Sequence, residues 1–264
     1  MPLKFILRPS LVLAALLVWL CPASLAQDFD LAAPGAIPPP VLVSGSPAAL
    51  FQNVRIFDGK SATLSPPSNV VRNHVIERIS VSPIAVDTNA NVTVVAANGH
   101  VLMPGLIDAH WHSYMAGTPQ MLLMTASSDY LLLLAARQSE TTLMQGFTTV
   151  RDLGGPLFGL KRAIDEGVMV GPRIYPSGAM ISQTSGHGDF RFDFEVPRTL
   201  GGPLSHSEVE GIAAIADSPD EVRLRAREQL RQGASQIKVM AGGGVNSAKN
   251  PIQSVQFTEP EIRD

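Results

Sequence analysis

The stretch "GLIDAHWHSY" (Gly105–Tyr114) closes an apolar run with two histidines one residue apart. Side chains two apart on a strand point to the same face, so His110 and His112 converge, with Asp108 one step behind them. Neutral imidazole suits a divalent ion such as zinc, and two ligands from one rigid strand need little reorganisation. Paired histidines at a strand end also serve as hydrogen-bonding groups, so the spacing alone leaves both readings open.

Downstream, three helical stretches each end at a glycine and lead into an apolar run. They are "SDYLLLLAARQSETTLMQG" to Gly146, "PLFGLKRAIDEG" to Gly167 and "SPDEVRLRAREQLRQG" to Gly233. Each glycine suits the left-handed position just past a helix C-terminus. The third helix has Ser218 as a cap, Pro219 in its first turn and Glu221 to complete a capping box. Its Val222, Ala226 and Leu230 recur every four residues and predict one packed face. Alternating helix and strand means a parallel sheet, with strands expected at about 100–112, 147–152, 173–182 and 236–242. Chemistry in such folds gathers at the C-terminal ends of the strands, where His110 and His112, Arg151 and Asp152, and Gly242–Gly244 fall.

Upstream, residues 48–101 hold short Val/Ile-rich runs broken by Asp-Gly, Pro-Pro and Asn-Gly, which reads as a small β unit. Residues 27–47 are a Pro/Gly-rich lead-in. Residues 1–26 read as a signal peptide: Lys4 and Arg8, the apolar run Leu11–Leu20, and small residues at Ser24 and Ala26. The expected product is exported, periplasmic or secreted, with no stable membrane span after cleavage. Cys21, the sole cysteine, would leave with the signal. The net charge of -3, with no dense Lys/Arg block, argues against nucleic acid as a partner. With 45% hydrophobic and 16% charged residues the chain can bury a core.

Lys238, in "IKVMAGGG", sits between Ile237 and Val239 in an apparently buried strand. Burial disfavours the ammonium, and a neutral amine reacts with carbon dioxide or a carbonyl. An edge-strand lysine reaching solvent is the alternative.

"VLMPGLIDAHWH" after a small β unit, with "IKVMAGGG" on a fourth strand, resembles the metal-dependent amidohydrolase superfamily. "TTVRDLGG", "GPRIYPSG", "SGHGD" and "GGGVNS...PIQSVQFTEPEI" make it similar to the branch of imidazolonepropionase-like and prolidase-like enzymes, from about residue 50 to the last residue. The resemblance implies an α/β fold: the N-terminal part of a (β/α)8 TIM barrel, about four βα units over 102–264, after a partial β-sandwich at 48–101. It implies that His110 and His112 bind a divalent ion, most simply zinc, as one or two ions. Lys238 would bind as its carbamate, and a metal-bound hydroxide would hydrolyse C–N bonds of dipeptides, N-acyl amino acids or cyclic amides. His187 would contact the substrate or polarise its carbonyl; a loop histidine ordered by its own turn is the other reading. The span Asp189–Asp217, with Arg191 and His206, reads as a lid-like insertion. Arg151 and Asp152 either pair or close the second strand. Asp108, His74 and His100 read as structural.

The family also uses two later histidines and a late aspartate as general base, and residues 1–264 offer none for those roles. The expectation is a fragment of a longer protein, with little activity alone and open strand edges that favour homo-oligomers. The competing reading is a non-catalytic exported binding or assembly remnant of the same scaffold.

Overall fold

The computed structural model describes residues 48–72, 75–86, 91–244 and 249–263. The expected signal peptide, the lead-in and His74 lie outside them. Strand β1 (Ala48–Ile56) is long enough to serve two partners in succession, β4 (Val92–Ala96) and then β5 (Val101–Leu102), both parallel. The switch falls next to Asn53, which takes the left-handed φ of 56°. On its other edge β1 pairs antiparallel with β2 (Ser68–Arg72), which pairs with β3 (Ile76–Ser80). Leu50, Val54 and Val70 are buried beneath this five-stranded sheet.

β5 hands the chain to β6 (Leu106–Trp111), followed by α1 (Gln120–Leu123), α2 (Ser128–Met144), β7 (Phe147–Asp152), α3 (Phe158–Asp165) and β8 (Arg173–Pro176). Strands β6, β7 and β8 form a parallel sheet, in register at Asp108 with Val150 and at Arg151 with Tyr175. One face takes the helices. Val150 and Ile174 pack there with Leu131 of α2 and Leu160 of α3, all nearly solvent-free. Alternation leaves the neighbouring Arg151 and Tyr175 on the opposite, open face.

The third strand is shorter than its apolar run predicts. β8 stops at Pro176, and β9 (Met180–Ser182) begins after a kink at Gly178, whose φ is +72°. The Ala179 N–H freed by the kink donates to the Gln229 side chain at 2.9 Å. The expected fourth strand at 236–242 is reduced to a parallel bridge between Val239 and Ile181. It still runs beside the third strand, because Ser235 N–H reaches Pro176 O, Ile181 N–H reaches Lys238 O, and Met240 N–H reaches Ile181 O.

Beyond a 3₁₀ turn (Arg198–Leu200) come α4 (His206–Val209), β10 (Ala213–Ile215), α5 (Pro219–Gln232) and α6 (Glu259–Arg263). β10 corrects the expectation of a lid over Asp189–Asp217. Its three residues are buried and pair parallel with β9, on the edge opposite Lys238. The correction applies to Ala213–Ile215, whose backbone completes a sheet; residues 189–212 form no strand.

The helices at 128–144, 158–165 and 219–232 agree with their sequence signals, and Gly146, Gly167 and Gly233 all have positive φ. Ser218 caps α5 by accepting the Glu221 N–H. Glu221 does not close the box at Ser218. Its carboxylate accepts from Asp217 N–H at 2.8 Å and pairs with Arg198. The packed face of α5 also differs. Val222 is buried and Ala226 packs against the core, but Leu230 is 54% exposed and Gln229 lies inside instead. Gln229 is drawn in because the kink at Gly178 needs an acceptor.

Gly178 and Gly233 separate two costs of a Cβ. At Gly233, with φ of 101°, a Cβ meets nothing, so Gly233→Ala should cost only the left-handed strain, about 1–2 kcal/mol. At Gly178 the same strain adds to overlaps of 2.3 Å with Gln229 Oε1 and 2.8 Å with Phe158 Cζ. Urea denaturation should show Gly178→Ala losing clearly more stability than Gly233→Ala. Equal losses would remove the packing role given to Gln229.

Candidate active site

Strand β6 ends where its hydrogen bonds to β7 end, and the chain turns at once: Met115 and Ala116 N–H both donate to His112 O. The β6–β7 register shifts between Asp108 and Trp111; beyond it Trp111 packs against the helix-side core and borders the cavity that the two histidines line. Their ring centroids lie 5.3 Å apart with planes inclined at 59°, so they converge without stacking. Asp108 does not join them. Its Oδ1 accepts the His110 N–H at 2.9 Å and braces the strand locally.

The last two residues of β7 hold this strand end from two sides. Arg151 Nε donates to Ala109 O at 2.8 Å. Asp152, fully buried, accepts the Ser113 N–H at 2.6 Å and the Gly154 N–H at 3.2 Å. The expected choice between an Arg151–Asp152 ion pair and a strand closure resolves to closure, since neighbours on a strand face opposite ways. Burial pushes the Asp152 carboxyl up to about 6, against the pull of the Ser113 and Gly154 N–H groups. What the sequence does not show is which backbone Asp152 meets, the Ser113 and Gly154 N–H groups.

Lys238 and His187 meet the histidine pair in one cavity of about 490 Å³, walled by Trp111, Met115, Phe190 and Met240. Lys238 is half-buried and neither fully enclosed nor splayed into solvent. Burial, then the charge of Arg151, holds its ammonium below the usual lysine range. Burial, then Lys238, lowers His187. His112 falls to about 4, chiefly by burial, then through His110 and Lys238. His110 is lowered by burial and then by Lys238. Basic groups thus crowd one cavity, and burial and their mutual charge disfavour protonation, most strongly at His112.

Unprotonated nitrogen lone pairs are what a divalent ion needs. His112 Nδ1 and His187 Nδ1 are buried with no protein partner, which fits nitrogen ligation or a ligand contact. Among the described residues no three His, Cys, Asp or Glu side chains group closely enough to hold an ion by themselves. The two imidazoles fit a divalent ion, and Lys238 adds an oxygen donor only as a carbamate.

The remaining sequence candidates have structural partners. Arg191 is bound to Asp189 in a largely buried pair. His206 Nε2 faces Ala126 O at 3.2 Å, and His100 Nδ1 faces Ala97 O within a turn. Among the described residues no helix is long and apolar enough to cross a membrane.

His112 and Asp152 act oppositely on stability. A histidine lowered from its ordinary 6.5 to about 4 contributes stability that is complete near pH 7 and lost as pH falls through that window. A carboxyl raised to about 6 favours the fold as pH falls from 6 towards 4. In EDTA-treated protein, His112→Gln should therefore gain on wild type in urea midpoint between pH 7 and pH 4.5. A gap independent of pH would mean that His112 is not held neutral.

The Amidohydrolase family matches residues 101–264. Ochratoxinase of Aspergillus niger is 40% identical over 174 residues, covering 62% of this chain and 35% of that protein. A solved prolidase complexed with N-methylphosphonate-L-proline is 33% identical with a TM-score of 0.72, covering 82% of this chain and 52% of the other. The solved A. niger ochratoxinase gives 30% identity and a TM-score of 0.67, over 83% and 52%. The chain spans about a third of the length of the curated relatives it matches, and about half of these solved chains. With its α/β fold and a family match running from β5 through the histidine pair to the last residue, the chain belongs to the amidohydrolase family.

Proposed function

We propose that this chain contributes His110, His112 and Lys238 to the divalent-metal site of a hydrolase of carbon–nitrogen bonds. The observation that carries the reading is the convergence of two imidazoles, a depressed amine and His187 on one cavity beside the end of β6. Within that reading, residues 102–264 are about four βα units of a (β/α)8 barrel, and residues 48–101 are part of a β-sandwich.

The chain's own groups have separable tasks. His110 and His112 present nitrogen donors whose protonation burial and the charge of Lys238 both disfavour. Lys238, as a free amine, attacks carbon dioxide: an N–C bond forms, one N–H proton leaves to solvent, and an anionic carbamate with two oxygen donors results. A divalent ion such as zinc, when bound, supplies Lewis acidity towards the amide carbonyl and towards water. His187 offers a ring N–H to the substrate carbonyl, and Met115 and Phe190 keep bulk water away from it.

Relatives include an ochratoxinase and a prolidase complexed with a proline phosphonate, which favours dipeptides and N-acyl amino acids, with cyclic amides as a further class. Residues 1–26 are read as an export signal, so the secreted or periplasmic protein should begin at Gln27 on N-terminal sequencing.

Two measurements test the site. Elemental analysis should find zinc retained by the wild type and reduced about tenfold or more by Lys238→Ala. Growth on ¹³C-bicarbonate should give a carbamate carbon resonance that Lys238→Ala removes. Unchanged metal content in that variant would overturn the ligand assignment. On a panel of Xaa-Pro dipeptides and N-acyl amino acids, a longer protein that contains this chain and the expected later ligands should show hydrolysis that EDTA abolishes and zinc restores, while residues 1–264 alone show little.

A further inference from the structure

Gln256 is almost fully buried, and its amide uses every hydrogen-bonding valence it has. Oε1 accepts the His187 N–H at 3.0 Å and the Ser182 hydroxyl at 3.5 Å. Nε2 donates to Gly242 O at 2.7 Å and to Asn250 Oδ1 at 3.0 Å. Two of its partners extend the grip on the same loop. Ser182 Oγ accepts the Gly188 N–H at 3.0 Å, and Asn250 Nδ2 donates to Ser185 O at 3.1 Å. Residues 185, 187 and 188 are thus tied to one buried network that reaches β9 and the glycine run after Lys238.

The network also fixes what faces the imidazole. A Cβ on Gly244 would stand 1.8 Å from His187 Cε1, so the ring lies directly on that backbone. A Cβ on Gly243 would meet Pro251 O at 2.0 Å, so the same glycine run also admits the segment that carries Asn250 and Gln256. The glycines leave the room, and the glutamine holds the loop in it.

We infer that Gln256 is a positioning residue that sets His187 in the cavity, through the His187 N–H and through the Gly242 carbonyl. This deepens the proposed function, since it rests on His187 meeting the substrate carbonyl. Only an amide suits the place. A glutamate at 256 would set oxygen against Gly242 O and Asn250 Oδ1, and a methionine would leave four groups without partners.

The test uses native-state hydrogen exchange on this chain, with turnover of a longer metal-loaded protein that contains it as a second readout. In Gln256→Met the His187 amide should exchange about tenfold faster or more, while the Val150 amide in β7 keeps its wild-type rate. Asn250→Ala retains Gln256 but frees its Nε2, and should give a smaller rise at the same amide; it serves should Gln256→Met fail to fold. Turnover should fall by about tenfold or more in Gln256→Met and show no further fall when the substitution is added to His187→Ala. A uniform rise in exchange, an unchanged His187 amide, or a turnover loss that persists in the His187→Ala background would overturn the inference. Should the parent hydrolyse nothing, the functional reading fails, and exchange at His187 alone decides whether Gln256 positions it.

Discussion

The buried carboxylate of Asp152 joins three elements that would otherwise end apart. Its side chain accepts the N–H groups of Ser113, just past β6, and of Gly154, in the turn after β7. Its backbone carbonyl accepts from Ser177 N–H at 3.0 Å and from the Gln236 side chain at 3.1 Å, two residues before Lys238. One residue thus ties the strand carrying His110 and His112 to the segment carrying Lys238. The tie is costly, because a carboxylate deprived of water must be repaid by its hydrogen bonds. Burial still outweighs them, which is why its carboxyl rises to about 6.

The same balance shapes the cavity. Burial lowers His110, His112, His187 and Lys238 alike, and each protonated neighbour makes the next proton harder to add. Asp108, bound to the His110 N–H, favours protonation of both histidines, but burial and Lys238 outweigh it. Nitrogen donors without protons, next to an amine able to take up carbon dioxide, form a consistent set for a divalent ion. Arg151 bonds to Ala109 O and adds positive potential from β7, which favours an anionic form of Lys238.

Local signals carried much of this into the sequence. The three glycine-terminated helices and the i, i+2 histidines depend on neighbours within a few residues, so periodicity and capping expose them. Gly178 splits the third strand through Gln229, fifty-one positions away, and no local pattern announces such a partner. β10 escaped notice for a related reason. Three small apolar residues, Ala213–Ile215, are too few to show a strand period, and only their pairing with β9 defines them. Asp152 and Gln256 act through backbone groups 39 and 69 residues distant. A polar side chain at a strand end or in a loop has many ordinary uses, and only the fold shows which backbone it meets. Lys238 was legible as a charge in an apolar run, and the family resemblance set it beside His110, His112 and His187; the Trp111, Met115, Phe190 and Met240 walls of their cavity were not.

Asp152 holds the end of β6, and the proposed divalent-ion site depends on that hold. Zinc titration calorimetry on metal-stripped wild type and Asp152→Ala, at a pH where circular dichroism shows both folded, measures the dependence. Zinc should bind at least about tenfold more weakly to Asp152→Ala, the usual scale for residues that orient metal ligands. Equal affinities in the two folded proteins would contradict that dependence.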